Sequence, residues 1–571
     1  MPVALETKSD RSGASSAQSG SPTRGARNRF SQSGISGVIS LSLVMRPLLP
    51  QSPPGCRLLR TGAQWNPYSK EERSWPRRLA PATTCTRTPN ARWRRTRRPR
   101  PGRRPRSGTR TPRRRRRAAC SRRPRPSAAE RLRPYAGAMR MIVRGARLLH
   151  TPGLSDVEVG EDGRIARVIP YDDQKEPPVT GLLVEAHGGL LTAPFVEPHI
   201  HLDTALTAGE PRPNASGTLW EGIACWSERK RTLTREDVVG RATEVLRWQA
   251  ANGVLHVRTH CDVTDPSLTA LDALLEVRDQ VRDVMTLQIV AFPQEGIVSF
   301  PDGEALLREA ARRGADVVGA IPHFEDTRED GVASLHTAFA VAEEHGLRVD
   351  AHCDEIDDEQ SRFVEVLATL ALRSGLRERA TASHTTAMGS YNGAYSFKLQ
   401  RLLSRSGINL VANPFANLNL QGRFDAYPKR RGLTQVREML AAGVNVAFGH
   451  DDVMDPWNAL GTANPLQTAL VGLYAAQLTG ADDIPVAFSM VTDRAARVLG
   501  LGAGEYGITE GAPASFVLLP APSPEEALRR QVRPRYVVSR GSVLAETPPA
   551  PARLSWPGEP PSDVDFTRRL G

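Results

Sequence analysis

Between Leu190 and Asp452 the chain carries eight short apolar runs rich in β-branched residues, and each passes into a polar cluster and then a helical pattern. The runs are LLTAPFVEPHIHLD from 190, HVRTHCDV from 256, LQIVAFPQEG from 287, DVVGAIPHFE from 316, RVDAHCDE from 348, ATASHTT from 380, NLVANPFAN from 409 and NVAFGHDD from 445. Runs of this kind bounded by turn signals are strands, and strands that alternate with helices build a parallel sheet through crossovers. Eight such units predict an α/β fold, a parallel (β/α)8 TIM barrel. The intervening helices are expected at 234–252, 266–283, 303–313, 331–345, 358–375, 394–406 and 432–442, many of them opening on Thr, Asp or Pro.

Flanking the barrel, MIVRGARLLHTPGLSDVEVGEDGRIARVIP from Met141, and ASFVLLP and RYVVSRGSVLAE between 514 and 546, read as short strands with turns. Both ends of the folded region are expected to combine into one small β-sandwich. The domain reading is therefore a β-sandwich from 139–190 plus 505–550, a metal-dependent barrel from 191–504, and a C-terminal tail from 551–571.

Charge separates the rest. Residues 1–138 hold 33 Lys and Arg against 5 Asp and Glu, whereas residues 139–571 hold 43 against 57, so the formal charge of +14 averages two unlike pieces. The first piece is rich in Arg, Pro, Ser and Thr, includes the run Arg113 to Arg117, and has almost no periodic apolar pattern. It is expected to be disordered. Its one apolar stretch, Ile35 to Met45, is too short to span a bilayer and too far from the terminus for a secretory signal, so no membrane segment is expected. Such an Arg-rich run supports nonspecific nucleic-acid binding by counterion release, without the aromatics of a readout module. The alternative is an overextended reading frame with the native start at Met139 or Met141, in which case nucleic acid is no partner. Cys225, Cys261 and Cys353 lack CxxC spacing and suggest no disulfide framework, which favours the cytoplasm.

Active sites of this fold occupy the carboxyl ends of the strands, so the polar residues closing each run acquire meaning. His199 and His201 lie two apart in PHIHLD, and a strand turns both imidazoles to one face, where they can converge on one ion. Gln294 in FPQEG, His352 and Glu355 in HCDE, His384 in ASHTT and Asp451 in GHDD close other runs. Imidazole and carboxylate are ligands of divalent metals, and three or four of them with one open position describe a catalytic site. His260, His323 and His450 also end runs, but read as packed or hydrogen-bonding neighbours outside the ligand set.

With these residues in place, the chain resembles the amidohydrolase superfamily, and within it the barrel-type cytosine deaminases of bacteria. The resemblance runs from Met141 to near Leu544 through FVEPHIHLDT, SGTLWEGI, FPQEGI, HCDEIDDEQSRF, ASHTTAMGSYNGAY, LQGRFDAYPKRRG and GHDDVMDPW. It implies that His199, His201, His352 and Asp451 hold one Fe(II) or Zn(II) per subunit. No strand-four lysine is available for a bridged two-metal centre. The resemblance also makes Glu355 the acid that protonates the ring nitrogen, Asp451 the carrier of the water's second proton, and His384 the group that orients hydroxide. Gln294 would bind the ring carbonyl and adjacent N–H, with Asp452, Trp457 and Leu219 lining the pocket; core packing is the alternative for Trp457. A homo-oligomer is a further expectation from the family.

The chemistry agrees with this assignment. Hydrolysis at an amidine-like ring carbon needs hydroxide at neutral pH, and metal coordination lowers the pKa of water from 15.7 to about 7. The expected reaction is deamination of cytosine to uracil and ammonia, a pyrimidine salvage step, extending to 5-substituted cytosines. Isocytosine, isoguanine, creatinine or an aminotriazine is the alternative nucleobase-like substrate. A nucleic-acid-binding protein acting through the Arg-rich segment is the alternative of another class. The chain lacks the HxE and PCxxC set of deaminases that act on nucleic-acid bases.

Overall fold

The computed structural model describes residues 140–175 and 181–567. The basic extension, with its expected disorder and nucleic-acid binding, lies outside the described residues. The chain enters through β1 (Met141–Leu148), β2 (Thr151–Val159), β3 (Ile165–Pro170), β4 (Leu182–Glu185) and β5 (Leu190–Thr192). β1 pairs antiparallel with β2 and parallel with β4 and β5, while β2 pairs antiparallel with β3.

The barrel follows as β6 (Phe195–Ile200), β7 (Val254–Asp262), β8 (Thr286–Phe292), β9 (Val317–Ala320), β10 (Arg348–Cys353), β11 (Ala380–His384), β12 (Asn409–Ala412) and β13 (Asn445–Phe448). These eight pair in parallel in chain order, each with its sequence neighbour. Each coincides with one of the runs from which the strands were expected. Their outward side chains, such as Val257, Cys261, Ile289 and Val349, are buried beneath the surrounding helices in one cluster. The helix Arg235–Ala251 begins where Thr234 accepts the Asp237 N–H through its side chain, and Gly253, at φ +87, turns the chain into β7. Capping of this kind satisfies an otherwise unpaired helix donor.

The other expected helices appear at 269–281, 303–313, 328–345, 363–374, 393–406 and 436–441. One start differs for a clear reason. The helix expected from 358 begins at Phe363 because Asp354 accepts the N–H groups of Phe363 and Val364 and the Ser361 hydroxyl, capping from nine residues upstream. Further helices at Leu219–Lys230, Pro414–Leu420, Pro465–Ala475, Asp483–Ser489, Asp493–Leu499 and Pro524–Arg530 were not anticipated. The first two border the site.

The C-terminal strands β14 (Phe516–Leu519), β15 (Tyr536–Ser539) and β16 (Ser542–Glu546) form an antiparallel ladder, and β14 also pairs antiparallel with β5. Both ends therefore share one small sheet domain, ordered β16-β15-β14-β5-β1-β2-β3 with β4 branching from β1. β14 joins it to the barrel: Phe516 and Leu518 enter the small core with Val143 and Val157, whereas Val517 and Leu519 enter the barrel core. Alternation along a strand buried on both faces produces this split. A short hairpin of β17 (Ala552–Leu554) and β18 (Ser562–Val564) ends the fold.

Candidate metal and substrate site

Barrel closure and the ligand cluster are the same event. Beyond the end of β13, Ile200 and Asp451 form a parallel bridge. The His201 N–H donates to the Asp451 carbonyl at 3.2 Å, and the Asp451 N–H to the His199 carbonyl at 2.9 Å. Gly449 permits this approach, because a Cβ there would lie 2.5 Å from Asn413 Oδ1 and 2.8 Å from His199 Cβ. Asp451 and His384 both adopt left-handed backbone conformations, at φ +70 and +69. Non-glycine residues seldom do so, and such strain concentrates at functional sites.

The side chains meet on the barrel axis. Asp451 Oδ1 lies 3.2 Å from His199 Nε2 and 3.4 Å from His201 Nε2, while His201 Nε2 and His352 Nε2 face each other at 3.1 Å. His384 Nδ1 is 3.1 Å from Glu355 Oε1 and 3.8 Å from Asp451 Oδ2. Ligand atoms of His199, His352, His384 and Asp451 all fall within 4.8 Å of one another. All are buried. Burial alone would raise the Asp451 carboxyl, yet the surrounding imidazoles, His199 and His384 foremost, hold it well below the usual range. Burial lowers His199 to about 3 and drives His352 down as well, so both stay neutral with lone pairs available. Burial also opposes protonation of His384, but Glu355 and Asp451 bring it above its ordinary value.

This donor set fits a divalent ion. Two unprotonated imidazoles and a carboxylate converge in a buried space, the chemistry of a zinc- or iron-type site. The orientation of His199 supports the fit: its Nδ1 lies 3.0 Å from Ser383 Oγ, whose hydroxyl donates to Asp350 at 2.8 Å. Ser383 therefore receives the Nδ1 proton, and Nε2 presents its lone pair to the cluster. Hydrogen bonding at the remote nitrogen is the usual companion of a metal-bound histidine.

A cavity opens above the cluster, lined by His201, Leu219, Gln294, His352, Glu355, His384, Leu420, Asp451, Asp452 and Trp457. Every residue anticipated for substrate contact is thus in one place with the anticipated acid. Trp457 serves both readings: it packs in a cluster with Leu219, Ile223 and Trp226, and its indole N–H donates to the Leu219 carbonyl at 3.2 Å while its face borders the cavity. Gly222 makes room, since a Cβ there would meet the indole at 2.4 Å. Burial, with Asp451 and Asp455 nearby, pushes the Asp452 carboxyl well up.

Two of the histidines set aside in the sequence sit beside the cluster. His260 packs 3.9 Å from the His199 ring between centroids, and His450 Nδ1 donates to the Asp452 carbonyl at 3.0 Å. Other groups escaped the sequence reading. Glu197 accepts the N–H groups of His199 and His450, linking β6 to β13, and burial raises it to about 8. Asn413 and Asn417 flank the His384 ring at 3.3 and 3.0 Å. Arg258 and Asp350 are fully buried and paired at 2.8 Å. The available signal was spacing: 197 precedes 199, 258 precedes 260 and 350 precedes 352 by two, which places each on the inward face below a histidine.

Comparison with known proteins gives a consistent neighbourhood. The model of the Amidohydrolase family matches residues 183–545. The crystal structure of 5-methylcytosine deaminase from Klebsiella pneumoniae, liganded with 5-fluorocytosine, is 47% identical, covering 74% of this chain and 100% of that one with a TM-score of 0.71. N-isopropylammelide isopropyl amidohydrolase of Pseudomonas sp. (strain ADP) is 27% identical over 416 residues, 71% of this chain and 97% of its own. Pterin deaminase of Rhizobium rhizogenes is 29% identical over 396 residues, 68% of this chain and 87% of its own.

Proposed function

The chain belongs to the amidohydrolase family as a hydrolase of C–N bonds, and from that premise we propose that it deaminates cytosine to uracil, with 5-substituted cytosines such as 5-methylcytosine as further substrates. The observation that carries this reading is the cavity that Gln294 and Glu355 share with His201, His352 and Asp451, with His199 packed against Asp451 behind them. The similarity to 5-methylcytosine deaminase along that protein's whole length supports the substrate class.

His199, His201, His352 and Asp451 would hold one Fe(II) or Zn(II), which when bound supplies the Lewis acidity that brings the pKa of water from 15.7 to about 7. Gln294 offers a donor and an acceptor in one amide, matching the ring carbonyl and its neighbouring N–H. Leu219 and Trp457 close the pocket against solvent, and Asp452 meets the ring edge. Glu355 takes the first water proton and delivers it to the ring nitrogen as the water oxygen bonds the amidine carbon. His384, held by Glu355 and Asp451, orients that water. Asp451 takes the second water proton and returns it to the exocyclic nitrogen. The C–N bond then breaks, ammonia leaves, and the ring retains the new carbonyl. Among the described residues, Cys225, Cys261 and Cys353 are free and buried, in accord with a reducing, cytoplasmic setting. Among the same residues, no helix is long and apolar enough to cross a membrane.

The test is a comparison of kcat/KM for cytosine, 5-methylcytosine, isocytosine, creatinine, isoguanine and an aminotriazine. Preference for the first two supports the proposal. Preference for another member overturns the substrate while leaving the hydrolytic chemistry, and inactivity on all six by ion-loaded protein contradicts the reading as a whole.

A further inference from the structure

Below the ligand cluster the barrel interior is polar where such interiors are usually filled by Val, Ile and Leu. Arg258 on β7, Asp350 on β10, Ser383 on β11 and His199 on β6 are each fully buried, and they form one continuous chain. Arg258 Nη1 donates to Asp350 Oδ2 at 2.8 Å, the Ser383 hydroxyl donates to Asp350 Oδ1 at 2.8 Å, and Ser383 Oγ lies 3.0 Å from His199 Nδ1. Arg258 is itself held by the Gln288 side chain at 3.0 Å and the Val498 carbonyl at 2.8 Å. The direction of every bond follows from its first member. A guanidinium only donates, so Asp350 accepts; a carboxylate accepting on both oxygens fixes the Ser383 hydroxyl as donor; a hydroxyl whose proton is committed accepts from Nδ1–H.

We propose that Ser383, backed by Asp350 and Arg258, is a positioning residue that fixes the tautomer of His199 and so keeps Nε2 available as an ion ligand. The role rests on the ion-binding reading above. Burying a charged pair is expensive unless its hydrogen bonds are complete, and this pair is complete only with Ser383 and Gln288 in place. The arrangement also explains a second grouping. Ligand atoms of His199, His260 and Asp350 converge within 4.8 Å, as at a metal site. The Arg258 guanidinium already donates to the Asp350 carboxylate, whose charge is thereby matched without a second ion.

The test uses the full chain and two substitutions. Ser383→Ala deletes the relay. Asp350→Asn keeps its shape but lets an amide donate to Ser383, which reverses the relay and moves the proton to Nε2. The measurements are the Zn(II) dissociation constant by competition with a chromogenic chelator, the visible spectrum of the Co(II) form, and the thermal midpoint of the ion-free protein. A loss of Zn(II) affinity of roughly ten- to a hundredfold in both variants is expected. An altered Co(II) spectrum should accompany it in both variants; the ion-free midpoint should stay close to that of the unaltered chain in Ser383→Ala and fall in Asp350→Asn, which leaves Arg258 buried without its counter-charge. Unaltered affinity in either folded variant overturns the proposal, and so does a loss accompanied by an equal collapse of the ion-free protein in both. Failure of the unaltered chain to bind Zn(II) overturns the ion-binding reading itself, and the role of Ser383 with it.

Discussion

Glu355 and His384 are the pair on which proton handling depends, because their side chains meet at 3.1 Å beside the cavity and next to Asp451. Replacing Glu355 by Gln retains the shape and removes the exchangeable proton. Turnover should fall by at least about a hundredfold, the scale of a lost general acid, while ion content stays at the unaltered level. Near-normal turnover would remove Glu355 from that role. His201→Ala should lower ion occupancy and rate together, read by elemental analysis alongside kinetics; full occupancy would place His201 outside the ligand set. These residues were legible in the sequence because a polar group closing an apolar run stands out. Arg258 and Asp350 carried only the weaker signal of lying two residues before a histidine, and Ser383, one residue before His384, fell on the face that alternation turns away from it.

At the scale of elements, the decisive contact is the bridge that brings β13 against β6. It sets Asp451 between His199 and His201, so closure and ligand geometry cannot be separated. Gly449→Ala should therefore disturb both. A Cβ in that crowded position would displace Asn413 or His199, at a cost of roughly 1–3 kcal/mol typical of overpacking. Chemical denaturation should register that loss in the ion-free protein, and ion affinity should weaken in parallel. An unchanged midpoint with unchanged affinity would show that closure tolerates slack. The eight strands and seven of the helices could be read from period and punctuation. The helices Leu219–Lys230 and Pro414–Leu420 could not, because one hides in a long connection after β6 and the other is only seven residues long, directly behind β12. Both carry residues of the cluster behind Trp457, which is why the pocket wall was harder to foresee than its ligands.

For the molecule as a whole, stability should fall on the acid side through histidines buried in the neutral form. His256, at the foot of the barrel against Tyr506 and well away from the ligand cluster, is lowered to about 4 by burial, with Arg540 adding to the effect. Its unfolded form titrates near 6.5. The neutral ring contributes fully above 6.5, and the contribution is lost as pH falls from 6.5 toward 4, up to about 3 kcal/mol. His256→Phe should flatten the stability profile in that window; an unchanged slope would assign the acid sensitivity to other groups. Removing residues 1–138 should leave kcat/KM unchanged, since every residue assigned to the site lies within the barrel, between His199 and Trp457. The charge contrast is what suggests that division, whereas the joining of both chain ends through β14 depends on long-range pairing that local sequence only hints at.

Hydrolytic deamination as proposed needs one divalent ion, held by the cluster on the barrel axis. The direct measurement is to strip the protein with a chelator, restore Zn(II) or Fe(II) in graded amounts, and follow ammonia and uracil released from cytosine. Turnover should be absent before addition, rise linearly and reach a plateau at one ion per chain, with the two products in equal amounts. Full activity in the stripped protein, or a plateau that requires two ions per chain, would contradict the one-ion requirement.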